Sequence, residues 1–217
     1  MDAVLITLTL TLAAVDWLAV ELHWRRVNFF AKPGVMLALI AWFSFDVGWT
    51  GAGLWFGLGL VFSLLGDLLL MAPERWFLPG LASFLLAHIC YIAGFNRAPL
   101  PLHPLELVFL AGILVLDFWM MRKLFSKPEG RGMALPLVLY LVVISGMAFS
   151  ALTCLVRPEW SRPGALAVGL GAVLFLISDS VLAYNKFVAP TRKRDLVVMA
   201  TYHLAQIGIV AGLILKS

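Results

Sequence analysis

The chain has 217 residues, of which 62% are hydrophobic and 13% charged, with a mean hydropathy of +0.98. That composition excludes a soluble domain and describes an all-α, polytopic integral membrane protein whose solvent is lipid. The net charge of +4 belongs to loops beside anionic headgroups and not to a basic patch on a soluble module, so the expected partners are membrane lipids and not nucleic acid.

Apolar runs long enough to cross about 30 Å of hydrocarbon fall at roughly residues 2–22, 34–50, 52–72, 78–96, 104–122, 134–156, 163–185 and 195–215. They predict eight transmembrane helices in one membrane domain, 1–217, with little chain left for loops. No basic residue precedes the first run, Asp2 does, and Asp16 and Glu21 interrupt its far half, which predicts a retained span and not a cleaved signal peptide. The second run is short, carries Asp46 and opens at Lys32-Pro33. The third reads GLGLVFSLLGDLLLM and sets Gly57, Gly59 and Asp67 along one helix; the fourth carries His88 and Tyr91. The fifth carries Asp117 and the sixth Cys154, which, like Cys90 in the fourth, reads as an apolar core residue and not as half of a disulfide. The seventh, GLGAVLFLISDSVLA, repeats the third with Gly169, Gly171 and Asp179, and the eighth carries Tyr202, His203 and Gln206.

Helices 3 and 4 therefore resemble helices 7 and 8, within repeat halves of approximately 1–100 and 101–217. The copies begin four spans apart, an even number, so they cross the bilayer in the same sense, and a parallel repeat about an axis along the membrane normal brings Asp67 and Asp179 to equal depth across a shared interior. A fainter echo links Asp16, followed by Phe30 to Pro33 (FAKP), with Asp117, followed by Phe125 to Pro128 (FSKP). Glycines ten residues before each aspartate read as packing positions where helices approach closely. His88 with Tyr91, and His203 with Gln206, are three apart and share a helix face; with Tyr202 they read as the polar lining of a cavity that holds substrate.

Orientation follows from the basic residues. Alternation across eight spans puts Arg25, Arg26, Lys32, Arg75, Arg122, Lys123, Lys127, Arg131, Lys186, Arg192, Lys193 and Arg194 on one side, and Arg97, Arg157, Arg162 and Lys216 on the other. The positive-inside rule makes the first side cytoplasmic and both termini exterior. Asp67 and Asp179 each precede the basic end of their helix by about four to six residues, roughly 6–9 Å, so the carboxylates are expected toward the cytoplasmic leaflet.

An intramembrane carboxylate costs about 2.5–3.5 kcal/mol on insertion scales unless it faces protein or a water cavity, and two at matching positions point to a catalytic site. Held close together in low dielectric, two carboxylates do not both stay ionised, which leaves a proton donor beside an anion. That is the equipment of acid catalysis through an oxocarbenium-like transition state. There is no G-x-S-x-G elbow, which argues against a serine hydrolase. A metal site built from the two aspartates and two histidines remains chemically open, but no strong ligand spacing is present, and neither metal nor cofactor is expected.

The stretch from Gly66-Asp67 through LLLM, the phenylalanine-rich start of the next span with AHICYIAGF, Ser178-Asp179, TYHLAQ and the Lys32-Pro33 opening together resemble the YhhN or lysoplasmalogenase family over most of the chain. The resemblance implies an eight-helix membrane hydrolase that cleaves the vinyl ether bond of lysoplasmalogens (1-alkenyl lysophospholipids), giving a fatty aldehyde and glycerophospho-ethanolamine or -choline. It also implies Asp67 and Asp179 as catalytic residues; the compactness of the chain reads as bacterial, so the expected location of this multi-pass protein is a bacterial inner (plasma) membrane. Lys32, at the expected cytoplasmic mouth, is the candidate cation for the headgroup phosphate, or a snorkelling lysine that sets topology. A small membrane transporter and a non-enzymatic lipid-binding protein share most of these features. Oligomeric state is not encoded in any of them.

Overall fold

The computed structural model describes residues 2–99, 103–189 and 193–216. Arg192 and the expected division between halves at residues 100 and 101 lie outside the described residues. The chain forms two compact units, Met1–Arg97 and Ala98–Ser217, and among the described residues it is helical without strands.

The first unit contains α1 (Asp2–Glu21), α2 (Arg25–Asp46), α3 (Ala52–Met71) and α4 (Phe77–Phe95), the last entered through a 3-10 turn at Glu74–Trp76. The second contains α5 (Pro104–Leu124), a short α6 (Pro128–Gly132), α7 (Ala134–Leu152) with a 3-10 extension at Thr153–Val156, α8 (Arg162–Phe187) and α9 (Arg194–Ile214). All eight expected spans are present as helices long and apolar enough to cross a membrane. Large apolar side chains such as Phe30, Leu107, Val115 and Leu135 are mostly exposed on them, a surface that only hydrocarbon can cover at this density.

The second span differs most from expectation. Pro33 was expected to open it, but α2 starts eight residues earlier, at Arg25, with Pro33 inside the helix. Proline has no N–H for the carbonyl one turn back, a loss that membrane helices tolerate through local adjustment, and the earlier start carries Lys32 into the packed interior. The far end of α2 stops at Asp46, because the connection to α3 needs two glycines with positive φ, Gly48 at +79° and Gly51 at +56°, a region costly for other residues.

The hydroxyls of α1 are satisfied locally. Thr7, Thr9 and Thr11 donate to carbonyls four residues back at 2.6–2.8 Å, so α1 stays compatible with lipid. Neighbouring helices pack as α1 on α2, α2 on α3 and α3 on α4 in the first unit, and α5 on α7, α7 on α8 and α8 on α9 in the second.

Glycine does different work in the two units. In α3 and α4 it receives aromatic rings: a β-carbon at Gly66 would stand 2.6 Å from the Phe84 ring, and one at Gly94 2.7 Å from Phe56. Between α8 and α9 it lets backbones meet, because a β-carbon at Gly171 would lie 2.8 Å from the Ala205 carbonyl and one at Gly208 3.0 Å from the Ala167 carbonyl. Small residues at such crossings are how membrane helices gain contact without a hydrophobic drive. Of the two glycines ten residues before the aspartates, a β-carbon at Gly57 would stand 2.5 Å from the Trp49 ring, whereas one at Gly169 would meet only Leu152 at 3.4 Å.

Candidate functional site

In the first unit α1, α2 and α3 bring four polar side chains into an otherwise apolar core. Asp67, on α3, is 1% exposed, and its Oδ1 lies 3.0 Å from Nζ of Lys32 on α2. Asp16, on α1, is fully buried and accepts a hydrogen bond of 2.8 Å from Nδ2 of Asn28, one turn before Lys32 on α2. Lys32 and Asp67 both act electrostatically on Asp16, so two carboxylates and one ammonium form a single charge cluster. Lys32 is therefore not a free cation at the membrane surface but a buried partner of Asp67. An ion pair withdrawn from water needs good geometry and further hydrogen bonds to offset desolvation, and here one helix, α2, supplies donors to the carboxylates on either side of it.

His88 and Tyr91 are fully buried on α4. The Tyr91 ring stacks beside Phe56, with centroids 6.1 Å apart, and occupies the space that a side chain at Gly59 would take. Gly59, Ser63 and Asp67 follow one another at intervals of four along α3 and form one stripe. Ser83 on α4 fastens this arrangement by donating to the Phe62 carbonyl at 2.7 Å.

In the second unit Asp179, on α8, is half-buried, and its carboxylate accepts a hydrogen bond from the hydroxyl of Tyr140 on α7. Five residues further along α7, Ser145 donates to Asp117 on α5 at 2.8 Å. Ser178, beside Asp179, donates instead to the Val198 carbonyl at 3.0 Å and ties α8 to α9. Tyr202, His203 and Gln206 are buried on α9; the Tyr202 ring meets Phe175 edge-on at 5.4 Å and lies 5.5 Å from the His203 ring. A cavity of about 360 Å³ opens between α5 and α8 and is lined by Leu116, Trp119, Met120, Ile177, Val181 and Tyr184 among others. Among the described residues no group of three or more His, Cys, Asp or Glu side chains is placed to hold a metal ion.

Asn28, Tyr140 and Ser145 are the participants that sequence reasoning passed over. Tyr140 carried a signal: a phenol at the seventh position of ALPLVLYLVV has nowhere apolar to put its hydroxyl. Asn28 falls between the predicted runs 2–22 and 34–50, whereas α2 begins at Arg25 and includes it.

An integral, multi-pass, all-helical protein with carboxylates buried against donors on neighbouring spans is the class that fold and site define. Within that class the chain belongs to the YhhN family, whose model matches residues 27–213. It is 31% identical over 193 residues to mouse lysoplasmalogenase TMEM86B, an alignment covering 88% of this chain and 76% of the mouse protein. It is 34% identical over 148 residues to human lysoplasmalogenase TMEM86B, covering 68% of this chain and 58% of the human one, and 29% identical over 169 residues to a lysoplasmalogenase of Mycobacterium bovis, covering 73% and 59%. The chain thus spans less than two thirds of the human and mycobacterial proteins. No solved structure matches it.

Proposed function

We propose that this protein is a membrane hydrolase that cleaves the vinyl ether bond of 1-alkenyl lysophospholipids, releasing a fatty aldehyde and glycerophospho-ethanolamine or -choline, with Asp67 and Asp179 as its acid–base residues. The observation that carries the reading is that both aspartates, Asp67 buried and Asp179 half-buried in apolar spans of a chain related to proteins named lysoplasmalogenases, are each met by a donor from the preceding long helix, Lys32 for Asp67 and Tyr140 for Asp179.

The chemistry asks little else of the protein. A carboxylic acid gives its proton to the alkene carbon β to the ether oxygen, and the adjoining carbon becomes an oxocarbenium ion. Water adds to that carbon and passes a proton to a carboxylate. The resulting hemiacetal loses its hydroxyl proton as the glycerol oxygen takes one up, and aldehyde and alcohol separate with the catalyst restored. Acid, base and a fixed negative charge beside the cation are what these steps need, and an ammonium held on Asp67 keeps that charge in place in low dielectric. Lys32 therefore acts on Asp67. His88 and Tyr91 on α4, and Tyr202, His203 and Gln206 on α9, are the substrate-binding residues of this reading.

The reading includes an internal duplication. Its support is that α2 carries donors to carboxylates on α1 and α3, and α7 carries donors to carboxylates on α5 and α8. It also includes residence in a bacterial plasma membrane with both termini outside and the basic loops in the cytoplasm.

Asp67→Asn and Asp179→Asn test the assignment. Asparagine keeps the shape but not the proton transfer, so each variant is expected to insert normally and to lose hydrolysis by about 10²-fold or more, the scale of a lost acid–base group. Near-normal turnover in either would make that residue structural and end its place in the mechanism.

A further inference from the structure

Ser63 does what a buried serine in a helix seldom does. It lies in the middle of α3 with no exposure to solvent, and among the described residues its hydroxyl has no hydrogen-bond partner. Other spans show the ordinary alternative: Thr7, Thr9, Ser44 and Ser150 each donate to the carbonyl four residues back at 2.6–2.8 Å. A buried hydroxyl left without a partner is destabilising and needs a reason.

Its position supplies one. Ser63 is one helical turn before Asp67 and one turn after Gly59, so the three share a stripe of α3. Asp67 at one end is held by Lys32; Gly59 at the other is filled by the Tyr91 ring. A hydroxyl placed between them both donates and accepts, and the polar species that a hydrolase must hold beside a carboxylate is water.

Resting on the hydrolase reading above, we infer that Ser63 is a positioning residue for hydrolysis: its hydroxyl holds the attacking water one turn from Asp67. In the addition step the water oxygen forms its bond to the oxocarbenium carbon while one of its protons passes to the Asp67 carboxylate. Ser63 forms and breaks no covalent bond. It fixes where the oxygen stands, and a water aligned with the carbon it attacks avoids the entropy of finding that alignment.

Ser63→Ala tests this, because a hydroxyl serving packing and a hydroxyl serving water give opposite results. Purified wild type and variant are compared for kcat and KM on 1-alkenyl lysophosphatidylethanolamine in detergent and for thermal stability in the same detergent. The inference expects kcat to fall about tenfold, the rate equivalent of one neutral hydrogen bond, with KM unchanged and a melting temperature equal to or above that of the wild type. A variant with undiminished kcat overturns it, as does one whose lost activity comes with a lowered melting temperature or a raised KM alone. If the wild type itself turns over no alkenyl lipid, the hydrolase reading falls and takes this role with it; an active wild type with an equally active variant removes Ser63 alone.

Discussion

A lysine and an aspartate both removed from water constrain each other more than any exposed pair. Lys32 and Asp67 are 7% and 1% exposed and 3.0 Å apart, where breaking one partner leaves the other charge without its counter-ion. Lys32→Met is therefore expected to lower stability by about 3–5 kcal/mol and to remove activity, since the carboxylate of Asp67 is then no longer held. Lys32→Met combined with Asp67→Asn removes both charges, and most of the lost stability should return while activity stays absent. Thermal unfolding of the two variants in detergent separates these outcomes; equal destabilisation by single and double changes would show that the pair is not coupled. That coupling was not legible in the sequence. Pro33 looked like a helix start, which left Lys32 outside the span and made it a candidate for the headgroup, whereas the helix continues through the proline and turns the same residue inward.

At the level of elements, the aspartates are only as well placed as the helices that carry them. Sequence periodicity and run length located all eight spans because the bilayer fixes a minimum length and forbids polar interruption. The partners across helices were not legible, since Tyr140 with Asp179 and Asn28 with Asp16 depend on which faces meet. A β-carbon at Gly171 would lie 2.8 and 3.0 Å from backbone atoms of Ala205 and Ile209, while one at Gly169, on the same helix, would meet a methyl group of Leu152 at 3.4 Å. Gly171→Ala should therefore cost about 1–3 kcal/mol through overpacking, because backbone cannot swing aside, and Gly169→Ala should be close to neutral. Melting temperatures of the two variants check the contrast, and a reversed order would mean that α8 and α9 do not meet along this seam.

For the whole molecule, the membrane class was readable from composition and the family from the paired aspartate motifs; the partners around Asp67 and Asp179 required the fold. The orientation rests on the division of lysine and arginine between loops. Reporter fusions after Lys216 should be exterior and fusions within residues 123–131 cytoplasmic, and the opposite result would move the carboxylates to the other leaflet. The hydrolase account itself turns on which bond the protein can break. An ester has no alkene carbon to protonate, so acid–base aspartates without a serine or cysteine nucleophile should distinguish a 1-alkenyl chain from a 1-acyl chain on the same glycerophosphoethanolamine. Purified protein given the two lipids side by side should release a long-chain aldehyde from the first and leave the second intact. Fatty acid released from the ester, or no turnover of either lipid by the folded protein, would contradict the account.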